Sequence, residues 1–255
     1  MKGKDIVFLS ETHVNVSSLE KVRDFTAYGD PNFALSQKHG GMAVYINTMY
    51  VQYVTDLRFT KCTLSFAMTT IPDVFFMGVY VYPQSSANYC DTDFAVVINE
   101  INYWISRGFH PYIGGDFNTR AGDLNKISSK SLKWRYAENV DAIVNQSKSH
   151  FADMCETLKI LPLNHCIYNQ REFHGCFTYF NSNRKSQIDF ALTDNVGRRN
   201  VTDFKLTTTG WHFSDHLPVD LIVRVNYDIK PVSLLIRSKE LLVNTKPNNN
   251  KNFIR

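Results

Sequence analysis

The chain has no apolar run long enough to cross a bilayer, which excludes a membrane-spanning helix. Met1 to Asp5 is short and polar, and no apolar stretch of the kind found in secretory leaders follows it, so an intracellular protein is expected. Cysteine is sparse: Cys62, Cys90, Cys155, Cys166 and Cys176 are odd in number and scattered. None forms a C-x-x-C pair, so there is no zinc or dithiol redox signature, and free thiols in a reducing compartment are expected. There is no internal repeat. Excess charge is scarce as well. The net charge is +4, and the stretch after Tyr227 carries all of it, with Lys230, Arg237, Lys239, Lys246, Lys251 and Arg255 against Asp228 and Glu240. Residues 1–227 are neutral overall, so the body of the protein is no general polyanion binder.

What is present is a core's worth of apolar residues, 44% of 255. The expected organisation is one domain over 1–227 and a basic, flexible tail or linker over 228–255, disordered from about Asn244. Runs rich in Val, Ile, Phe and Tyr predict strands at 5–9, 41–46, 63–68, 74–82, 110–114, 177–180, 186–192, 201–207 and 217–225. Helical spacing at Phe94, Val97, Ile98, Ile101 and Ile105 predicts a helix over 94–104. A second helix is predicted over 140–158, with Asp141 near its N-terminus and Ile143 and Val144 on its apolar side. A short amphipathic helix is predicted over 233–242. Asn195-Val196-Gly197 and Thr209-Gly210 punctuate the late strands. Many strands and few helices predict two packed sheets flanked by helices.

Four acids stand at strand ends or inside strand-like runs. Glu11 follows Ile6-Val7-Phe8-Leu9 and suits a hard divalent cation, although an acid after a strand also reads as the start of a solvated loop. Asp116 and Asn118 follow Gly114-Gly115, which lets backbone approach a ligand closely. Asp116 is placed to take a proton from water and Asn118 to donate to a phosphoryl oxygen; an Asp-Asn turn held by its own side chains is the equal alternative. Asp215-His216 pairs a second metal-ligand candidate with an acid–base side chain, and Asp189 is placed to orient His216; a solvent-facing strand acid at 189, a turn residue at 215 and a satisfied histidine at 216 are the alternative. Tyr80, in Gly78-Val79-Tyr80-Val81-Tyr82-Pro83, is either a phosphate donor or a packed aromatic with a wet tip, and Tyr82 rivals it.

Taken as an ordered set, these residues carry a resemblance. Ser10-Glu11-Thr12-His13, Val79-Tyr80, Gly114-Gly115-Asp116-Phe117-Asn118, Ile188-Asp189 and Ser214-Asp215-His216 occur in the order seen in the endonuclease/exonuclease/phosphatase superfamily. The Glu-Thr-His, Gly-Asp-Phe-Asn-Thr-Arg and Phe-Thr-Tyr forms look most like the endonuclease domain of non-LTR retrotransposons, over about residues 5–225. The resemblance implies a DNase I-like four-layer α/β sandwich. It implies Mg²⁺, with Mn²⁺ as a substitute, held by Glu11 and Asp215. It further implies that Asp116 handles the attacking water, Asn118 the scissile phosphate, and Asp189 with His216 the phosphoryl charge, assisted by Tyr80. Thr178 is expected near the phosphate or DNA backbone, and Ser214 is expected to fix the Asp-His turn. Arg184 and Lys185, in the 181–185 loop, are expected to reach DNA phosphates or else to form a solvated hairpin tip.

The expected activity is nicking of double-stranded DNA to leave a 3′-hydroxyl and a 5′-phosphate, in the nucleus. A reverse-transcriptase domain, or its RNA, is the expected partner. One departure stands out: the family's first strand, with an asparagine ahead of the glutamate, has no counterpart before Glu11. Its loss is expected to expose a sheet edge and weaken the metal site. A phosphoesterase of the same fold acting on phospholipid headgroups or RNA, and a catalytically impaired remnant, are the alternatives.

Overall fold

The computed structural model describes residues 4–13, 16–30, 40–127, 134–168, 170–207 and 214–224, and residues 232–238 as backbone. The chain opens with β1 (Ile6–Ser10), β2 (Phe25–Gly29) and β3 (Met42–Asn47). It continues through β4 (Val54–Phe59), β5 (Thr63–Met68), β6 (Ile71–Tyr80), α1 (Asp93–Ile105) and β7 (His110–Asp116). Short pieces follow: β8 (Arg135–Tyr136), α2 (Lys148–Leu158), β9 (Leu161–Pro162), β10 (Cys166–Tyr168) and β11 (Arg171–Glu172). A hairpin of β12 (Tyr179–Phe180) and β13 (Lys185–Ser186) precedes β14 (Asp189–Thr193) and α3 (Gly197–Asn200). The chain closes with β15 (Val201–Leu206), β16 (Val219–Val223) and β17 (Val232–Ser238).

Two six-stranded mixed sheets result, ordered β15-β16-β17-β1-β3-β2 and β4-β5-β6-β7-β14-β9. Together with the helices they form the α/β sandwich expected from the sequence. The sheets face each other across an aromatic core. Phe8 of β1 lies 6.0 Å from Phe66 of β5, and a Cβ on Gly78 of β6 would sit 2.6 Å from the Phe8 ring. Only glycine lets the strands close to that distance. On the far side of the second sheet, Trp104 of α1 stacks on Phe75 at 5.4 Å. β5 and β6 are therefore covered on both faces, which explains their nearly continuous apolar runs.

Three expectations need correction. Residues 140–147 are not helical, and α2 begins at Lys148. Ile143 and Val144 are exposed, while Asp141 is buried against Arg120 and the amides of Ile143 and Gln187. A carboxylate that captures those partners holds the segment extended, and local helix propensity loses to it.

Residues 232–238 form a strand, not a helix. β17 pairs in parallel with β1 and antiparallel with β16. The short apolar run fits either period, and two open strand partners decide it. β1 consequently has neighbours on both sides, β17 and β3, so the exposed edge expected beside it does not exist. The rest of the expected tail, 228–231 and 239–255, and the Thr209-Gly210 turn lie outside the described residues. β2 and β4, missed in the sequence, are only partly buried. No helix among the described residues is long and apolar enough to cross a membrane.

Candidate active site

Strand register assembles the site. The parallel pairing of β6 and β7 sets Tyr80 opposite Asp116. The antiparallel pairing of β14 and β7 sets Asp189 opposite Asp116. Three side chains far apart in sequence thus share one end of the second sheet. Gly115, at φ +154°, is required here, because a Cβ would lie 1.9 Å from the carbonyl oxygen of Val79.

The other sheet supplies Glu11 just beyond β1, and the 214–216 turn ahead of β16 supplies Asp215 and His216. Glu11 takes a left-handed conformation, φ +50°, and accepts a hydrogen bond from the Tyr80 hydroxyl. Asn118 is also left-handed, φ +47°. Such backbone at a cleft is a recurring feature of functional sites.

His216 is buried, and its Nδ1 lies 2.9 Å from Asp189 Oδ2 and 3.1 Å from Oδ1. Its Nε2 lies 4.0 Å from Asp116 Oδ2. The Tyr179 ring meets the imidazole edge-on at 4.9 Å, and the Ser214 hydroxyl accepts the His216 amide at 3.1 Å, as the Asp-His turn requires. Burial works against the charged imidazole. The Asp189 carboxylate, by charge and by hydrogen bond, outweighs burial, and Asp116 and Asp215 add to it, so His216 is lifted to about 9. Asp116 is raised well above the usual carboxylate range by its own burial and by the like charge of Asp189, against the opposing pull of His216.

Asn118 is placed differently from expectation. Its Nδ2 donates to the Val81 carbonyl at 2.8 Å and to Asp116 Oδ2 at 3.1 Å, and its amide donates to Asp116 Oδ1 at 2.8 Å. Both side-chain donors are engaged, so Asn118 aims the Asp116 carboxylate. Thr178 is fully buried. Its Oγ1 accepts the amides of Ile188 and Asp189 at 3.0 and 3.1 Å, so it holds the Asp189 strand and does not line the cleft.

A cleft of about 500 Å³ opens over these groups, lined by Glu11, Asp116, Asn118, Asp215 and His216 together with Arg184 and Lys185. Arg184 is exposed on a turn shaped by Asn181 Oδ1. Lys185 rests its ammonium 4.4 Å over the Phe177 ring. Arg120, Asn145 and Tyr179 also line the cleft, and sequence reasoning missed all three as site residues. Arg120 and Tyr179 had a signal, closing the Gly-Asp-Phe-Asn-Thr-Arg and Phe-Thr-Tyr forms, and Asn145 had none.

The donor set suits a hard divalent cation. Asp116, Asp189 and His216 present ligand atoms within 4.8 Å of one another, and Glu11 and Asp215 add oxygens at the same cleft. His216 is not a good ligand: its Nδ1 is held by Asp189 and the ring favours its protonated form, which has no lone pair to give. The remaining carboxylate oxygens are the donor type that hard divalent cations take.

No family model matches the sequence, and no curated protein matches it. The fold does find partners. The chain resembles a 3′ phosphatase from Neisseria bound to product DNA hairpin, with TM-score 0.61, 15% identity, 86% of this chain and 88% of that one covered. It resembles an AP endonuclease from Leishmania major, with TM-score 0.61, 14% identity, and 88% and 79% covered. It also resembles the endonuclease domain of TRAS1, a telomere-specific non-LTR retrotransposon, with TM-score 0.56, 12% identity, and 88% and 87% covered. The chain has the endonuclease/exonuclease/phosphatase fold. Within that fold, the Glu11, Asp116, Asp189 and Asp215-His216 positions sit at one end of the sandwich, where the strands of both sheets deliver them.

Proposed function

We propose that this protein is a Mg²⁺-dependent phosphodiesterase that nicks double-stranded DNA, leaving a 3′-hydroxyl and a 5′-phosphate. The observation that carries the reading is the Asp189–His216–Asp116 row, one imidazole between two buried carboxylates, facing a cleft that also holds Glu11 and Asp215. The cation, held by Glu11 and Asp215, would supply positive charge to the scissile phosphoryl group.

The chain's own groups do the rest. Asp116, aimed by Asn118 and raised in pKa, accepts the proton of an in-line attacking water. His216, kept cationic by Asp189, presents Nε2–H toward the phosphoryl oxygens as charge builds there. Tyr80 fixes the Glu11 carboxylate through its hydroxyl. The likeness to a retrotransposon endonuclease domain supports a mobile-element origin, in which the 3′-hydroxyl primes a reverse transcriptase in the nucleus.

A substrate panel tests this reading. The protein is expected to relax supercoiled plasmid with Mg²⁺ and to leave ends that a polymerase extends without prior phosphatase treatment. Hydrolysis of phosphoinositide or RNA with the plasmid untouched would contradict it.

A further inference from the structure

Arg120 is fixed more firmly than any other cation at the cleft. Its Nε lies 2.9 Å from Asp141 Oδ2 and its Nη2 lies 2.5 Å from Asp141 Oδ1, a two-pronged ion pair. Asp141 is buried, and its oxygens also accept the amides of Gln187 at 2.9 Å and Ile143 at 3.2 Å. The Arg120 amide donates to Asn145 Oδ1 at 3.1 Å, and Asn145 Nδ2 donates to the Asn118 carbonyl at 2.8 Å. One latch therefore ties the Asp116–Asn118 lip to the strand that carries Asp189.

The latch leaves a fork over. A guanidinium has five N–H groups, and among the described residues the ion pair uses only those at Nε and one edge of Nη2. The Arg120 side chain is 22% exposed and lines the cleft beside Asn118, Asp116 and His216. Because Asp141 already fixes the rotamer, contact with an anion costs little further side-chain entropy. Asp141 shares its charge with two backbone amides, so the outer edge of the guanidinium still favours an anion. Among the described residues Arg184 has no such anchor, and Lys185 is drawn to Phe177.

We propose that Arg120, presented by Asp141 and Asn145, binds a second phosphate of the substrate backbone next to the scissile one. The cleft then takes a polynucleotide in preference to a lone phosphodiester. This rests on the nuclease reading above and adds a substrate contact to it.

The test compares the full chain with Arg120→Gln and Arg120→Lys. Nicking kinetics are measured on duplexes carrying single neutral methylphosphonates on either side of the nick, and binding is measured against salt in EDTA. Arg120→Gln is expected to raise KM about tenfold, the value of one charge-assisted hydrogen bond, with kcat changed less than threefold. The slope of log affinity on log salt should fall by about 0.9, one phosphate contact. One methylphosphonate should penalise the unsubstituted protein and leave Arg120→Gln unaffected. Arg120→Lys should retain the salt slope.

A purely structural latch would lower thermal stability without moving the slope or the methylphosphonate pattern, and that result overturns the proposal. If Arg120→Gln fails to fold, Arg120→Lys decides. Lysine keeps the charge but not the fork, so the methylphosphonate penalty must shrink while staying at the same phosphate, and a penalty of unchanged size counts against the subsite. Should the unsubstituted protein neither bind nor nick duplex DNA, the nuclease reading itself falls. Normal nicking with unchanged Arg120→Gln parameters removes only the subsite.

Discussion

At the residue scale, the site is a contest between burial and paired charge, and His216 decides its sign. Its folded value of about 9 lies above its ordinary 6.5. A raised value means the folded state binds the proton more tightly than the unfolded state. The stabilisation is therefore complete below about pH 6.5 and is lost as pH rises through about 9. Asp116, also raised, acts in the same direction from the ordinary carboxylate range upward. In EDTA, the urea midpoint is expected to fall between pH 6.5 and 9, and Asp189→Asn should flatten that dependence. A midpoint level across this window would show that Asp189 does not hold the imidazolium.

Tyr80→Phe removes the donor to Glu11. It should raise the Mg²⁺ concentration needed for half-maximal nicking about 10- to 100-fold; an unchanged Mg²⁺ requirement would separate Tyr80 from the metal site. The four acids and His216 were legible in the sequence because each follows, precedes or interrupts an apolar run. Arg120, Asp141 and Asn145 were not legible as a unit, since the contacts joining them span more than twenty residues. Thr178 was read as a substrate contact because its motif was recognisable, while its Oγ1 bonds to two buried amides depend on the fold.

At the element scale, β17 joins the halves of the first sheet, between β16 and β1. Every residue in a central strand has its amide committed to one neighbour or the other. Leu235→Pro removes such a donor from a strand paired on both sides. It should cost about 1–3 kcal/mol from the unpaired acceptor alone, seen as a thermal midpoint lower by several degrees. A midpoint equal to that of the unsubstituted protein would mean the strand adds nothing to stability. The long buried strands β5, β6 and β7 were readable from their β-branched and aromatic runs. β2 and β4 were not, because half-buried strands carry too few apolar residues to stand out. The first turns of the expected second helix failed because Asp141 was read for its local helix preference, and its tertiary partners outweigh that.

At the scale of the whole molecule, two sheets deliver carboxylates and one imidazole to a single open end, and the fold needs no disulfide to do so, since its five cysteines are free thiols. The basic excess after Tyr227 leaves the body neutral. On the proposed nuclease reading, DNA attraction at the cleft would come from locally placed cations, above all Arg120, Arg184 and Lys185. The central claim is that Asp116 and His216 together perform magnesium-dependent strand cleavage. Its most direct test is the single-turnover rate of supercoiled plasmid nicking by the full chain, by Asp116→Ala and by His216→Ala, each shown to be folded by circular dichroism. The account predicts Mg²⁺-dependent nicking that EDTA abolishes and that each substitution lowers by at least about 10²-fold; nicking that persists at the unsubstituted rate in either variant would contradict it.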